Sequence, residues 1–376
     1  MNLRDFSSVE KRRKAVEKEF GVNLKNIGSF TLEEGAASAH NCENMIGAAQ
    51  VPLGIAGPLR LRSGQARDYY IPLATTEGAL VASVNRGCKA ITESGGAMVD
   101  NYRVGATRGP VFRVNSIAES TLLATFLVKH FKELKSVAEK TSHHLTLKKI
   151  MTRGVGKYRF VRFVFDTQDA MGMNMATIAT DAIVTAIKEK VGVRCVALAG
   201  NYDVDKKPSF LNLIEGRGIK VWAEVTLLSK VLRNVLKTDA KKMYETWLAK
   251  CMIGSAMSGS MGYNGHYANI VAALFLATGQ DLGHVVEGSL GITSAEIQGE
   301  DLYISVYLPD LMVGIVGGGT GLATQKEAMS LLGVKNSQAF AEIVGSAVLA
   351  GEISLLASLS EGTLAQAHKQ LARGGK

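Results

Sequence analysis

The hydrophobic and polar positions of the chain follow two periods, one typical of strands and one typical of helices. Apolar and charged residues alternate over 158–166, which predicts a strand with one buried face. Apolar and small residues run through 267–278 and 336–359 almost without interruption, which predicts two helices buried on most sides. Gly279 follows the first of them, and a glycine is a common helix stop. The pattern therefore predicts a fold that mixes strands and helices.

The other predicted elements are spread along the whole chain. Helices are predicted at 2–28, 77–92, 118–135, 175–191, 237–257 and 362–372, and strands at 111–114, 194–198, 216–227 and 302–308. A loop-rich segment is predicted at 43–59 and a hairpin at 60–73. Strands and helices interleave over 109–197, which indicates a compact α+β module inserted in a larger domain. The predicted fold class is α+β with α/β character, and the predicted domains are a helical segment at 1–30, a large domain at 31–108 and 198–376, and a small domain at 109–197.

Composition narrows the class of protein. The chain has 376 residues, of which 47% are hydrophobic and 20% are charged, as in packed globular proteins of two domains. Its net charge of +9 could serve nucleic acid, an anionic membrane or an anionic small molecule. Basic residues near the N-terminus are interleaved with glutamates, and nucleic-acid motifs are missing from the sequence. The charge is therefore expected to serve a phosphate-bearing ligand rather than nucleic acid.

The cysteines and the apolar runs indicate the cellular compartment that is expected for the protein. Four cysteines lack the spacing of a metal site or a disulfide framework, so reduced thiols in a cytoplasmic protein without zinc are expected. The N-terminus has no apolar core of a signal peptide, and the apolar runs are short or contain a polar residue. We expect neither a membrane anchor nor a bound metal.

Glu77 is the first candidate for chemistry, because it precedes a run of apolar and small residues in TTEGALVASVNRGCKAIT. In a buried helix its carboxylate would have to be paired or partly protonated. The alternative is a glutamate in the first turn of a helix that faces water, where the helix dipole favours it. Arg86 is half a helical turn out of phase with Glu77, so it must find its anion elsewhere.

Two further segments place charged residues where a reacting carbonyl could be bound. In AGNYDVDKKPSF, residues 199–210, Lys206 and Lys207 follow two aspartates, and a lysine held near carboxylates can stabilise an oxyanion. The same residue types also form ordinary surface turns. Asp281 follows the predicted helix 267–278, where the helix dipole disfavours an acid, so a fixed cationic partner is expected.

DAMGMNM, residues 169–175, lies at a predicted junction between a strand and a helix. Asp169 would cap the helix, Gly172 would let a ligand approach closely, and the helix start would attract phosphate. The alternative is a cap with three core methionines. A GxGxxG fingerprint does not occur in the chain, so an ordinary Rossmann domain is not expected. His368 is suited to proton transfer near neutral pH, although a late histidine is often only a surface residue.

In this order and spacing, the segments closely resemble one family, the hydroxymethylglutaryl-coenzyme A reductases. The matching segments span residues 43–368 and are ENMIGAAQVPLGIAGPL, TTEGALVAS, ATRGPVF, DAMGMNM, GNYDVDKKPSF with IEGRG, GSAMSGSMGYNGHYANIVAALFLATGQD, DLYISVYLP with VGGGT, and AGEISLLASL. Several are long and specific to the family. The chain looks like a soluble microbial, archaeal-type member of the class that includes the membrane-anchored eukaryotic enzymes.

The resemblance implies a four-electron reduction of (S)-3-hydroxy-3-methylglutaryl-CoA to mevalonate and CoA by two NADPH, the committed step of isoprenoid synthesis. It implies that Lys206 stabilises the oxyanion and that Glu77 donates the proton. Asp281 would link these two residues and keep the pKa of the glutamate raised, and His368 would protonate the CoA thiolate. The physiological direction stays open, because the same site could oxidise mevalonate.

The resemblance also implies binding residues and an assembly. The implied substrate-binding residues are Ser83, Arg86, Arg108, Asn201, Lys207 and Asn269. The implied cofactor-binding residues are Ser142, His143, Asp166, Asp169, Met171, Gly172, Met173 and Asn174. The implied fold is a large domain around a central helix with an inserted ferredoxin-like domain. The implied assembly is a homodimer with active sites at the subunit interface, in some members paired into tetramers.

Three departures from the family pattern affect these expectations. Ala199 stands where the family commonly has serine, which removes one hydroxyl contact to substrate. His143 stands where an arginine often binds the 2′-phosphate of NADP. Asp166 would repel that phosphate if it pointed inward, and would instead accept a hydrogen bond from a ribose 2′-hydroxyl. NADPH is the expected cofactor, and NADH stays open.

Overall fold

The structure is a computed structural model that describes residues 2–62 and 66–362. Its strands are β1 Leu53–Leu61, β2 Arg67–Ala74, β3 Met98–Arg108, β4 Val111–Arg113, β5 Thr146–Val155, β6 Tyr158–Asp166, β7 Arg194–Ala197, β8 Arg217–Leu227, β9 Ile292–Gln298 and β10 Asp301–Leu311. Its α-helices are α1 Val9–Phe20, α2 Glu34–His40, α3 Leu80–Glu93, α4 Ile117–Lys129, α5 Phe131–Glu139, α6 Met173–Val191, α7 Phe210–Glu215, α8 Ser229–Val231, α9 Ala240–Trp247, α10 Ser255–Ser258, α11 Tyr267–Thr278, α12 Val285–Gly288, α13 Ala323–Leu332 and α14 Ser337–Ser360. Both His368 and the helix predicted at 362–372 lie outside these residues, apart from Gly362.

The strands form two antiparallel sheets. β1 and β2 make a hairpin, and the larger sheet has the order β7-β4-β6-β3-β8-β10-β9, with β5 on the other edge of β6. β3 joins the two halves of the larger sheet, because Met98–Gly105 pair with β8 while Ala106–Arg108 pair with β6. Antiparallel pairing with helices on the faces is α+β, which confirms the predicted class and leaves no parallel α/β sheet in the described residues.

The half of the sheet beyond β3 has its own core. Its elements run β4, α4, α5, β5, β6, α6, β7, and the strand order β7-β4-β6-β5 is that of a ferredoxin-like fold, as expected. Phe112, Phe163 and Phe165 are fully buried in this core against Ile183 of α6. β6 has the predicted bounds, but the expected single buried face is not observed, because Arg162 is fully buried like its neighbours Val161 and Phe163.

The other half is built around α14, which is buried along most of its 24 residues. Small residues let its neighbours approach, since Gly87 of α3 packs on the backbone of Ala350 and Gly351 packs on Ile270 of α11. α14 is long and apolar enough to cross a membrane, yet most of it is covered by protein. Burial on nearly all sides is typical of a core helix, and it confirms the expected central helix.

Three local predictions are wrong for physical reasons. Residues 53–61 lie in β1 rather than in a loop, because their backbone pairs with β2. The helix expected from residue 77 begins at Leu80, because Ala79 adopts a left-handed conformation with φ 74°. One helix expected at 118–135 is two helices that meet at His130.

The sequence pattern did not predict the strands β3, β5 and β9. β3 carries polar residues on both faces, such as Asp100 and Asn101, so the two-residue alternation is lost. β5 is interrupted by a shift in register between Leu147 and Lys149, which reverses the facing of the residues after it.

Candidate active site

A cleft of about 690 Å³ brings together three of the segments that the sequence singled out. Met171, Gly172 and Asn174 border one side of it, at the beginning of α6. Lys206 and Asp281 border the other side, after β7 and after α11. A segment expected to bind a dinucleotide and a pair expected to bind a carbonyl therefore face the same cavity.

Lys206 and Asp281 form an ion pair at this cleft, with Lys206 Nζ 2.7 Å from Asp281 Oδ2. Asp281 Oδ1 accepts a hydrogen bond of 2.9 Å from the N–H of Gly283, so the aspartate caps the short 3₁₀ turn Leu282–His284. Lys206 supplies the cationic partner expected for an acid at the end of α11. The exposed fractions of the two side chains, 43% and 37%, leave the pair accessible to a ligand.

The surroundings of Asp281 fix its protonation state. Burial alone would raise the pKa of Asp281, but the hydrogen bonds from Lys206 and from the Gly283 N–H, with the nearby His284, hold it below its usual value. Asp281 is therefore an anion at neutral pH, ready to orient the lysine ammonium.

The loop that carries Lys206 has an unusual backbone. Asn201, Val204 and Lys206 all have positive φ, at 64°, 53° and 55°, and a β-branched residue such as Val204 rarely adopts this conformation. Two side chains hold the loop in place: Asn212 donates to the carbonyl of Val204 at 3.1 Å, and Glu287 accepts from the N–H of Lys206 at 3.2 Å. The position of the lysine is thus imposed by partners outside the loop.

A buried ionic cluster lies beneath this loop. Arg217 is fully buried and donates to Glu287 Oε1 and to Asp205 Oδ1, each at 2.7 Å. His284 Nδ1 lies 2.6 Å from the same Glu287 oxygen. Sequence reasoning missed all four of these residues as functional candidates. The IEGRG segment that contains Arg217 was a motif match, but nothing in the periodicity of β8 predicts a buried charge.

Two other residues of the loop were predicted to bind substrate. Asn201 is exposed, and Lys207 is exposed with its Nζ 3.4 Å from the carbonyl oxygen of Asp205. Lys207 makes no ion pair with the described residues, and neither it nor Asn201 lines the cleft, although both belong to the loop that carries Lys206.

Arg108 lies at the other edge of the cluster and borders the cleft. Its Nη1 is 3.2 Å from Asp203 Oδ2 and 3.6 Å from Asp205 Oδ2. Burial raises the pKa of Asp203 even beside this guanidinium. Arg108 therefore shares its charge between two aspartates while it faces the cavity.

Ser83 and Arg86 lie in a different place, on the side of α3 that packs against α14. Ser83 Oγ and Arg86 Nε bind the hydroxyl of Ser354, at 2.9 and 3.0 Å. Arg86 Nη2 also donates to the carbonyl of Ser354 at 2.7 Å and to the hydroxyl of Ser358. Within the described part of the chain, no carboxylate forms an ion pair with Arg86. Burial lowers the pKa of Arg86, but a guanidinium stays charged.

The start of α11 is fixed by a buried glutamate of α14. Glu352 accepts hydrogen bonds of 2.7 Å from the N–H groups of Gly265 and His266. Asn269 stands in the first turn of α11, with its Nδ2 3.4 Å from His266 Nδ1. A second cleft of about 980 Å³ lies here, lined among others by Lys250 and His266.

The predicted site residues therefore form two groups in one chain. Asn269 is the third residue of the 12-residue helix α11, and Asp281 follows the last residue of the helix by three positions. The helical steps from Asn269 to Thr278 alone correspond to a distance of roughly 13 Å at the usual rise per residue. We call Arg108, Lys206 and Asp281 the lysine end, and Ser83, Arg86 and Asn269 the arginine end.

Glu77 is not in a buried helix, which was the first expectation. It is exposed, three residues before α3 begins, and its N–H donates to Thr75 Oγ1 at 2.9 Å. Its carboxylate has no described contact with Lys206 or Asp281 of the same chain. α3 runs antiparallel to α14, with Ser83 at Ser354 and Gly87 at Ala350, so α3 begins at the arginine end.

The beginning of α6 is suited to bind an anion. Gly172 precedes it with φ 86°, and no side chain caps the first turn of this 19-residue helix. Uncapped N–H groups and the helix dipole attract phosphate. Ser142 Oγ lies 3.5 Å from Met175 Sδ, which places Ser142 beside this turn, while His143 is exposed on the same loop.

The expectation that Asp169 caps α6 is wrong. Asp169 Oδ1 accepts hydrogen bonds from the N–H and the hydroxyl of Ser337, at 2.8 and 3.1 Å, so it ties the loop to the beginning of α14. Arg103 lies between Asp169 and Asp166, 3.8 and 3.7 Å from their carboxylates. Asp166 is thus partly neutralised, which weakens the repulsion expected for a 2′-phosphate.

Together these features define an enzyme of α+β fold, with an ion pair and an anion-binding helix start that face one cleft. The family model for hydroxymethylglutaryl-coenzyme A reductase matches residues 8–373. A 3-hydroxy-3-methylglutaryl-coenzyme A reductase of Methanothermobacter thermautotrophicus is 49% identical over 98% of this chain and 94% of its own length. That of Methanocaldococcus jannaschii is 50% identical over 97% of this chain and 93% of its own length.

The chain belongs to the hydroxymethylglutaryl-coenzyme A reductase family and is therefore an oxidoreductase. Its fold is similar to that of the class II reductase from Streptococcus pneumoniae, solved with bound NADPH in open conformations. The TM-score is 0.71 at 18% identity, over 95% of this chain and 98% of that one.

Proposed function

We propose that the protein reduces (S)-3-hydroxy-3-methylglutaryl-CoA to mevalonate and CoA with two equivalents of NADPH, in the mevalonate pathway of isoprenoid synthesis. One observation carries the proposal: the ion pair of Lys206 and Asp281 faces the uncapped beginning of α6 across one cleft. A carbonyl held by the lysine would lie opposite a bound dinucleotide. Family membership and the relatives named above support this substrate.

Each residue at the lysine end has a task in this chemistry. Reduction of a thioester makes an oxyanion, and the Lys206 ammonium is placed to stabilise it. Asp281 orients the ammonium through their ion pair. Arg108 would bind a substrate carboxylate, and Asn201 and Lys207 of the lysine loop would bind other polar groups of the substrate. A bound nicotinamide dinucleotide supplies hydride, and Met171 to Asn174 with Ser142 would hold it.

Protons come from two further residues in the proposed mechanism. Glu77 donates to the oxygen that receives negative charge, and its exposed position before α3 leaves its carboxylate available. His368, which lies outside the described residues, protonates the departing CoA thiolate. Both roles rest on the motif match rather than on contacts.

We infer further that the active site is shared between two chains. The lysine end and the arginine end are separated by at least roughly 13 Å along α11, and a hydroxymethylglutaryl group is too short to touch both. In a twofold dimer, the lysine end of one chain can face the arginine end and Glu77 of its partner. The uncompensated guanidinium of Arg86 would then meet an anionic part of the substrate, and pairing into a tetramer stays open.

NADPH is the proposed cofactor, with NADH as the alternative. Arg103 lies close to the carboxylates of Asp166 and Asp169, and its positive charge weakens their repulsion of a 2′-phosphate. The test is kcat/KM for each cofactor with saturating thioester. A strong preference for NADH would overturn the choice and would assign Asp166 to the ribose hydroxyls.

The decisive experiment is oxidation of NADPH on addition of the thioester, with wild type and Glu77→Gln. Wild type is expected to turn over, and the variant to bind both ligands with little turnover. Ligand binding without turnover in wild type would favour a silent binding protein of the same fold. Near-normal reduction by Glu77→Gln would assign the proton donor elsewhere. The reverse reaction, with mevalonate, CoA and NADP⁺, measures the direction that the enzyme favours.

A further inference from the structure

His284 lies directly beneath the ion pair of the lysine end. It is fully buried, and its Nδ1 is 2.6 Å from Glu287 Oε1. Its Nε2 lies 3.8 Å from Asp281 Oδ2, the oxygen that also binds Lys206. Among the described residues, this buried Nε2 has no hydrogen-bond partner. A buried polar atom aimed at a reacting pair needs a reason.

The hydrogen-bond network assigns the tautomer. Glu287 Oε1 accepts from Arg217 Nη1 at 2.7 Å and from the N–H of Lys206 at 3.2 Å, so it acts as an acceptor. Its contact with His284 therefore requires a hydrogen on Nδ1. Nε2 is then left with either a lone pair or a second proton. A lone pair that faces a carboxylate in a buried place is unfavourable, whereas a proton between them is favourable.

The charges around the imidazole are mixed. Its own turn contributes Glu287 and Asp281, and the lysine loop contributes Lys206 and Asp205, whose Oδ1 is 3.9 Å from Nδ1. Arg217 of β8 binds both Glu287 and Asp205. Asp310 of β10 is fully buried, and Arg217 and Glu287 are among the charged groups near it. The carboxylates of Glu287, Asp281 and Asp205 near the ring, against the two cations Lys206 and Arg217, leave room for a proton on Nε2.

We propose that His284 is a positioning residue of the reductase site, and that its Nε2–H binds Asp281 Oδ2 when Lys206 turns from Asp281 to the substrate oxygen. This rests on the function proposed above. Without a replacement donor, Asp281 would lose its side-chain partner at the moment when the oxyanion forms. The closing hydrogen bond keeps the carboxylate oriented toward Lys206. No covalent bond changes, and the proton stays between His284 and Asp281.

Two amide variants separate the two sides of the ring. In His284→Gln the amide nitrogen stands near the place of Nε2, so the donor to Asp281 is kept without a titrating group. In His284→Asn the amide reaches only the place of Nδ1, so the contact with Glu287 is kept and the donor to Asp281 is lost. A purely structural role, through Glu287, predicts that Asn is the better substitute. The positioning role predicts that Gln is.

The expected results concern kcat, since His284 is fully buried and is proposed to act through Asp281. His284→Gln should stay within about threefold of wild type, while His284→Asn should lose roughly 30- to 100-fold in kcat, as expected for a misoriented catalytic group. KM for the thioester should change by less than about twofold in both. Equal kcat in the two variants, or a lower kcat in the Gln variant than in the Asn variant, would overturn the proposal.

A measurement without turnover separates this proposal from the function. The nitrogen chemical shifts of labelled His284 report the tautomer and the proton on Nε2 in wild type and in Asp281→Asn. A hydrogen on Nδ1 in both proteins, with a changed Nε2 signal in Asp281→Asn, is expected. If wild type does not reduce the thioester but these shifts hold, the substrate is wrong and the contact is right. A hydrogen on Nε2 alone would overturn the contact, whatever the activity. If His284→Asn does not fold, the kcat of the Gln variant and these shifts still decide.

Discussion

The cationic side chains at the two ends of α11 have different kinds of partners. At the lysine end and in the buried cluster beneath it, each of three cations forms an ion pair with a carboxylate of the same chain. Lys206 pairs with Asp281, Arg217 with Glu287, and Arg108 with Asp203. At the arginine end, the described partners of Arg86 are hydroxyl and carbonyl oxygens of α14. Neutral dipoles orient a guanidinium but do not cancel its charge. The first end is therefore built to hold a charged geometry through a reaction, and the second to attract an anion.

The buried glutamates repeat this difference. Glu287 forms an ion pair with the buried Arg217 at the lysine end. At the arginine end, Glu352 accepts hydrogen bonds from two backbone N–H groups and from the hydroxyl of Thr293. A full ion pair in a buried place is rigid, because loss of either partner leaves an unpaired charge. The lysine end is thus expected to govern kcat, and the arginine end to govern binding.

Lys206→Met should give the largest effect. Removal of the ammonium leaves the oxyanion without its stabiliser, so we expect kcat to fall by about a thousandfold or more, with binding of NADPH nearly unchanged. Steady-state kinetics and NADPH fluorescence measure the two. Lys241→Met, which removes an exposed lysine of α9, should leave both unchanged. A loss below about tenfold in Lys206→Met would place the oxyanion elsewhere.

A mixture of Glu77→Gln and Lys206→Met tests whether the two ends meet across a dimer. Each variant alone should be nearly inactive. After unfolding and refolding together, random pairing makes about half of the dimers mixed, and each mixed dimer has one intact site, so roughly a quarter of wild-type activity is expected. Mixing without refolding is the control. No recovery, although mixed dimers form, would place Glu77 and Lys206 of one site on the same chain.

Much of the fold could be predicted from the sequence, because it depends on local periodicity. β6 and α11 have their predicted bounds, and Gly279 ends α11 in a left-handed conformation. Elements that depend on distant partners could not be predicted. β1 looks like a loop until its pairing with β2 is known, and β3 is polar on both faces because it joins the two halves of the sheet.

The same difference holds for the candidate site: residues in motifs could be predicted, and residues whose roles depend on distant contacts could not. Motifs at Lys206, Asp281 and Gly172 singled out residues that do border one cleft. His284 gave no signal, because a histidine acquires its role here only from Glu287 and Asp281 beside it in space. The cap formed by Asp169 was assigned to α6, the nearest helix in sequence, whereas its hydrogen bonds go to Ser337 at the beginning of α14. Long-range contacts between polar side chains produce no periodic pattern in the sequence.

Arg86→Met should affect binding rather than chemistry. Loss of a charged hydrogen-bonding group typically costs about 1.5–3 kcal/mol, so we expect the KM for the thioester to rise by roughly 10- to 100-fold. The value of kcat should stay within about threefold of wild type. Lys89→Met, on the exposed side of the same helix, is the control. A fall in kcat at constant KM would contradict the division of tasks between the two ends.

Gly283→Ala tests the geometry of the ion pair with one methyl group. A Cβ at this position would lie 2.7 Å from Cδ and 3.1 Å from Nζ of Lys206, so the lysine must shift away from Asp281. The outer part of the Lys206 side chain can move, and we expect kcat to fall by only about three- to tenfold with an unchanged melting temperature. Gly321→Ala, where the added carbon meets nothing within 4 Å, should have no effect. An unchanged kcat in Gly283→Ala would show that the pair need not be held so closely.

The last prediction concerns stability rather than activity, and it separates the buried charges beneath the lysine end from the pair at its surface. Burial raises the pKa of Asp310 to about 7. Because the folded protein then binds this proton more firmly than the unfolded chain, the stability it contributes is present at low pH and is lost as pH rises toward 7. The lowered pKa of Asp281 has the opposite sign, since its contribution is lost only as pH falls through its folded value. Between pH 5 and pH 8, Asp310→Asn should therefore flatten the pH dependence of the free energy of unfolding by about 2 kcal/mol, measured by denaturant titration. Asp100→Asn, at an exposed position of β3, should leave the slope unchanged, and a slope kept in Asp310→Asn would assign the proton to another buried group.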